Sequence, residues 1–118
     1  MKMIKSLLLI SMFVGAIILS GCGEKTNGSL DQFAICLSEN GAEMYGAYWC
    51  GHCKDQKEMF GSSFEKVNYI ECTVDQDKCE AAGIKGYPTW KFADGSIAMG
   101  TQELAQLAKK TGCSLYYT

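Results

Sequence analysis

Two cysteines separated by a glycine and a histidine form the run Trp49-Cys50-Gly51-His52-Cys53. Side chains three residues apart share a helix face, which brings their sulfurs close enough to bond without unwinding the helix. The spacing therefore suits a dithiol that closes and reopens as a disulfide. If the run opens a helix, Cys50 lies where unpaired N–H groups and the positive end of the dipole stabilise a thiolate. Cys50 is then the attacking thiol, and Cys53, one turn deeper, resolves the mixed disulfide. His52 is the chain's lone histidine. An imidazole between the cysteines favours the Cys50 thiolate and the reduced dithiol, which makes the disulfide the better oxidant. The alternative for His52 is an exposed ring with no role. The lone proline stands in Gly86-Tyr87-Pro88-Thr89, just before an expected strand. Beside a C-x-x-C on a βαβ pattern, that placement suits a cis peptide turning a backbone edge toward the thiols. Trp49 and Tyr87 flank the centre as packing residues or as contacts for client peptides.

The elements that must hold these residues follow from periodicity. Ser29 with Gln32 reads as a capping box, and Leu30, Phe33, Ala34 and Leu37 recur at helical spacing, so residues 30–39 are a first helix ended by Asn40-Gly41. Residues 42–47 form a short strand running into Cys50, and Lys54 to Phe64 resumes helical spacing through Met59, Phe60 and Phe64. Val67 to Cys72 is a second strand. Asp75 is placed to cap a short helix over 76–82. Thr89 to Phe92 is a third strand, and Asp94-Gly95 turns it back on Ser96 to Met99 as a hairpin. Thr101 is placed to cap a last helix carrying Leu104, Leu107 and Ala108, with Lys109 and Lys110 in its final turn and Gly112 ending it. A strand–helix–strand crossover makes the first two strands parallel, while the hairpin is antiparallel. The expected fold is α/β, a mixed four-stranded sheet with helices on both faces. Tyr45 reads as core.

Length and composition bound the rest. The chain has 118 residues and a formal net charge of −2, with its charges scattered. That is one domain, expected to be monomeric, with no basic patch for nucleic acid. Seven cysteines in such a chain argue for an oxidising compartment. Lys2 and Lys5 precede an almost wholly apolar run, Ser6 to Leu19, of 14 residues. That is a signal-peptide core, shorter than the roughly 20 residues of a membrane-spanning helix. It ends in Leu19-Ser20-Gly21-Cys22, which resembles the bacterial lipoprotein box. The resemblance implies cleavage after residue 21, a diacylglycerol and acyl (palmitate) anchor on Cys22, and a cell-envelope location facing the periplasm or exterior; an ordinary secretory signal or an uncleaved anchor is the alternative. Residues 22–28 then serve as a flexible tether and 29–118 as the domain. Losing Lys2, Lys5 and no acid leaves 9 lysines against 13 acidic residues, since the whole chain has 11 and 13.

Tyr48-Trp49-Cys50-Gly51-His52-Cys53-Lys54 together with Gly86-Tyr87-Pro88-Thr89 resembles the thioredoxin superfamily, and the Cys-Gly-His-Cys centre is similar to protein disulfide isomerase domains. The longer stretches 44–50, 67–72 and 82–90 resemble the thioredoxin-like domain of bacterial and plant vitamin K epoxide reductase homologues. The resemblance covers about residues 31 to 112. It implies a thioredoxin-like fold, a cis peptide before Pro88, a redox couple of Cys50 and Cys53 needing no further cofactor, and a membrane oxidase as partner, here a separate protein. One departure bears on direction. The family's reductases carry a buried Asp six residues before the first Cys, where this chain has Met44; Glu43, next to it, should point to the opposite sheet face.

Cys36, Cys72, Cys79 and Cys113 remain. Cys72 and Cys79 would close a small loop, and the related fusion domains carry a cysteine pair in this region, so a structural disulfide is expected; a second redox pair feeding Cys50 and Cys53 is the alternative. Cys36 and Cys113 are matched by elimination, as a staple between the first helix and the tail, against free thiols or intermolecular pairing. For function, disulfide exchange with client proteins stands first, oxidising or isomerising rather than reducing. A periplasmic dithiol reductase is the alternative within that class. Outside it stand a copper or zinc carrier, which would have to use Cys50, Cys53 and His52, and a non-catalytic binding domain. A closed zinc site needs four ligands and the chain offers no second C-x-x-C or histidine, so no metal is assigned.

Overall fold

The computed structural model describes residues 30–116; the apolar run 6–19, Cys22 and Ser29 lie outside the described residues. Four helices and four strands alternate in the expected order: α1 (Asp31–Glu39), β1 (Glu43–Gly46), α2 (Gly51–Phe60), β2 (Tyr69–Glu71), α3 (Gln76–Ala81), β3 (Thr89–Lys91), β4 (Ile97–Met99) and α4 (Leu104–Thr111). The sheet order is β2-β1-β3-β4. Met44 is opposite Tyr69 in a parallel pair, and β3 pairs antiparallel with both β1 and β4.

Alternation along β1 sends Met44 and Tyr45 to opposite sheet faces. Met44 joins Phe33, Ala34 and Leu37 of α1, Phe60 of α2, Trp90 of β3 and Leu107 of α4 in the larger core. Tyr45 joins Ile70, Cys72 and Cys79 in a smaller one, so α3 covers the second face. Tyr45 is core, as expected, and its hydroxyl donates to Glu43 Oε1 at 2.9 Å. That contact keeps Glu43 on the face away from Met44.

The expected Ser29 cap of α1 lies outside the described residues, and other helix ends depart from expectation. The second helix does not run to Phe64. It stops at Phe60, because Gly61 adopts φ 60°, and continues as a 3-10 segment over Gly61–Lys66. Asp75 makes no capping bond to α3. The last helix is preceded by Glu103, and Thr101, three residues before its start, instead donates to the His52 carbonyl at 3.2 Å. Gly112 does end α4, in the left-handed conformation.

Candidate active site

Cys50 is the N-cap of α2 and adopts an extended backbone, where the chain leaves β1 and turns into the helix. Its N–H donates to the Ala47 carbonyl at 3.0 Å and its own carbonyl accepts from Lys54 N–H at 3.1 Å. Its sulfur takes the place that a serine or aspartate oxygen takes in an ordinary cap, accepting the Cys53 N–H at 3.1 Å. One of the orphan donors of the first turn is thus spent on Cys50 Sγ. Both thiols are free. They differ in access: Cys50 is 7% exposed and Cys53 1%. Burial, then the hydrogen bond with Cys50, push the Cys53 thiol up to about 12, against smaller opposing effects of an Ala47 backbone hydrogen bond and the Lys57 charge.

Cys50 faces an open depression lined by Trp49, Gly51, His52, Asp55 and Tyr87. Trp49 and Tyr87 meet edge to face, with ring centroids 5.8 Å apart. The Tyr87–Pro88 peptide is cis and Pro88 is buried. The Pro88 carbonyl accepts from Gly100 N–H at 2.7 Å, and Thr89 Oγ1 donates to the Gly86 carbonyl at 2.8 Å, so this loop is tied at both ends. His52 turns outward: its side chain is 79% exposed and its Nδ1 lies 3.7 Å from Asp55 Oδ2. The nearby carboxylate and solvent weaken the field it offers Cys50.

The remaining cysteines are bonded as Cys36–Cys113 and Cys72–Cys79. Cys72 and Cys79 are buried, and with Trp49 and Tyr87 they line a cleft beside the Cys50 depression. Among the described residues no group of three or more His, Cys, Asp or Glu side chains is placed to hold a metal ion.

Two features escaped the reading of the sequence. Gln56 lies on the buried face of α2 with Cys53 and Phe60, fully enclosed. Its Oε1 accepts from Trp90 Nε1 at 3.0 Å and from Gln102 N–H at 2.7 Å, and its Nε2 donates to the Gln102 carbonyl at 3.0 Å. This one amide fastens the cysteine helix to the sheet and to the segment before α4. Gln56→Ala strands the buried Trp90 Nε1–H and the part-buried Gln102 N–H and carbonyl, and is expected to lower stability by about 2–3 kcal/mol, read as a fall in the urea midpoint at unchanged slope. A change within about 0.5 kcal/mol would show that the clamp does not hold the helix. The second feature is on β2, where the Tyr69 hydroxyl donates to Glu71 Oε1 at 2.7 Å.

Residues 42–111 match the family described as Thioredoxin. The chain belongs to the thioredoxin family. A thiol-disulfide oxidoreductase, LTO1, of Arabidopsis thaliana is 44% identical over 102 residues, which is 75% of this chain and 27% of that protein. A protein disulfide-isomerase of Aspergillus niger is 37% identical over 79 residues, 57% of this chain and 15% of that protein. This chain therefore spans about a quarter or less of the length of these relatives. A mutant thioredoxin from Halobacterium salinarum NRC-1 superposes with a TM-score of 0.51 at 24% identity, over 73% of this chain and 84% of that one, a likeness of fold.

Proposed function

We propose that this chain is an extracytoplasmic thiol–disulfide oxidoreductase that exchanges disulfides with client proteins through Cys50 and Cys53, oxidising or isomerising them rather than reducing them. The observation that carries the reading is the helix cap: a sulfur at the mouth of a depression, held by the N–H of a second, buried cysteine. The exposed Trp49 and half-buried Tyr87 beside it offer apolar surface to an unfolded client segment. Direction rests mainly on Met44. It is fully buried on the Cys53 side of β1, where an acid could otherwise draw a proton from Cys53 and favour dithiol reduction. His52 adds less to this argument than its place in the sequence promised. In the same reading Cys22 carries the lipid that holds the domain at the envelope membrane, and a membrane oxidase resembling vitamin K epoxide reductase re-forms the disulfide.

The deciding measurement is a redox titration of Cys50 and Cys53 in a soluble form with Cys22 replaced. A potential of about −120 to −180 mV is expected. A value near about −270 mV belongs to a dithiol reductase and would overturn the oxidising assignment.

A further inference from the structure

When Cys53 resolves a mixed disulfide it must lose a proton, and when it leaves as a thiolate it must regain one. Met44 and Gly46 of β1, and Ala47 just after it, offer no titratable side chain. The charged or titratable groups acting on Cys53 are Cys50 and Lys57 from α2, and Tyr69 feels its charge from β2. The link to Tyr69 runs through Gly46. A Cβ at that position would stand 2.9 Å from Cys53 Sγ and 3.2 Å from the Tyr69 hydroxyl oxygen. The glycine therefore leaves the line between sulfur and phenol open.

Tyr69 is held in one hydrogen-bonding sense. Its hydroxyl donates to Glu71 Oε1, two residues along the same strand face. The other carboxylate oxygen, Oε2, is fixed by the Tyr48 N–H at 3.0 Å and by Thr73 Oγ1 at 2.6 Å. With its proton committed to Glu71, the Tyr69 oxygen can only accept on the side of the sulfur. The Lys57 ammonium sits 4.2 Å from the Tyr69 ring centroid. Burial, then the bond to Glu71, push the Tyr69 hydroxyl well above its ordinary value, as burial does the Cys53 thiol. For Glu71, burial works upward, but the hydrogen bonds from Thr73, Tyr69 and Tyr48 outweigh it and hold the carboxyl below its usual value. In the resting dithiol it is an anion that orients the phenol.

We propose that Tyr69, oriented by Glu71, carries the proton of Cys53 during thiol–disulfide exchange. In resolution the Cys53 S–H bond breaks and its electron pair forms the Cys50–Cys53 bond. The Cys50–client bond breaks and the client sulfur leaves as thiolate. The proton passes to Tyr69 Oη as the phenol's own proton moves to Glu71 and on to solvent, which half-exposed Glu71 reaches. The two cysteines are oxidised and the client disulfide gains two electrons; reduction of the Cys50–Cys53 bond runs the path backward. Tyr69 thus receives the proton from Cys53, and Glu71 both orients the phenol and passes the proton on to solvent.

The inference rests on the proposed exchange activity, and one experiment separates the two. The full chain, Tyr69→Phe and Glu71→Gln are reduced and mixed with oxidised glutathione. Formation of the Cys50 adduct and its resolution by Cys53 are then timed separately by acid quench and mass, from about pH 6 to 9, a range that spans ordinary thiol ionisation. Tyr69→Phe is expected to slow resolution about tenfold to a hundredfold at about pH 7, the size of one general acid–base contribution. The loss should shrink as pH rises, with adduct formation within twofold of the parent. Glu71→Gln should change resolution and its pH profile in the same sense, and a double variant should add little, since both act on one path. Resolution at the parental rate with the parental pH profile in Tyr69→Phe would overturn the proposal; if that variant fails to fold, the same result in Glu71→Gln does so. No adduct even in the parent chain would overturn the exchange reading itself.

Discussion

Cys50→Ala is expected to remove disulfide exchange on the order of a thousand-fold or more, while Cys53→Ala should accumulate a stable adduct through Cys50. The asymmetry follows from the two environments. Cys50 Sγ caps a helix and opens on a depression, so a client sulfur can approach it from solvent. Cys53 is 1% exposed and its thiol is pushed up to about 12 chiefly by burial, so at neutral pH it stays protonated until a bond to Cys50 is there to attack. Without Cys53 the first step still runs and the second cannot. Mass analysis after non-reducing electrophoresis reads both results. Equal adduct yield from Cys53→Ala and Cys50→Ala would show that the order of attack is wrong. Proton linkage gives the same assignment a second readout. Since the Cys53 value is raised in the folded dithiol, folded protein keeps a proton that the unfolded chain sheds above about 9. The reduced protein should therefore lose more stability than the disulfide form as pH rises from about 9 toward 12, since Tyr45 and Tyr69, also raised, act on both forms and only the Cys53 share is removed by the Cys50–Cys53 bond.

The redox centre was legible in the sequence because its chemistry is local: three residues of spacing, a strand before it and a helix after it are all within one short window. The order of elements was legible for the same reason, as each carries its own period. What escaped depends on residues far apart. Gln56 looks like a surface polar residue on an otherwise mixed helix, and only Gln102, 46 positions away, and Trp90 make its burial favourable. Thr101 has the right chemistry to begin α4, but tertiary structure uses its hydroxyl against the His52 carbonyl instead. Tyr69 and Glu71 did leave a signal, since i and i+2 share a strand face. It gains meaning only because Gly46 lies between that face and Cys53. The helix break at Gly61 was also readable, as a glycine inside a helical pattern lowers the case for continuing it.

Replacing Cys36 and Cys113 together by alanine is expected to cost about 4.5 kcal/mol of stability and lower the melting temperature on the order of 20–35 °C. Their separation is 77 residues, against 7 for Cys72–Cys79. Loop-closure entropy grows with the logarithm of length, so the same relation gives about 2.5 kcal/mol for the shorter bridge. The long bridge matters for a second reason. It joins α1 to the second residue beyond α4, and both helices supply the core that also receives Cys53 and Phe60. The Asn40 side-chain amide donates to the Cys36 carbonyl at 2.8 Å and reaches Cys36 Sγ at 3.3 Å and Cys113 Sγ at 3.5 Å, so α1's C-terminal end is organised around the bridge. Other ties hold α1 elsewhere: Ser63 Oγ donates to Asp31 Oδ1 and Ser38 Oγ to the Lys66 carbonyl, each at 2.7 Å. The double variant should therefore still fold at low temperature, with α1 in place and disulfide exchange near the parental rate. Calorimetry of the two forms, each with Cys50 and Cys53 oxidised, isolates the effect. A fall of less than about 3 °C would mean that α1 is secured by its polar ties and core packing, and that the bridge stabilises little. A large fall with exchange intact would place the Cys36–Cys113 bond in the scaffold and outside the electron path.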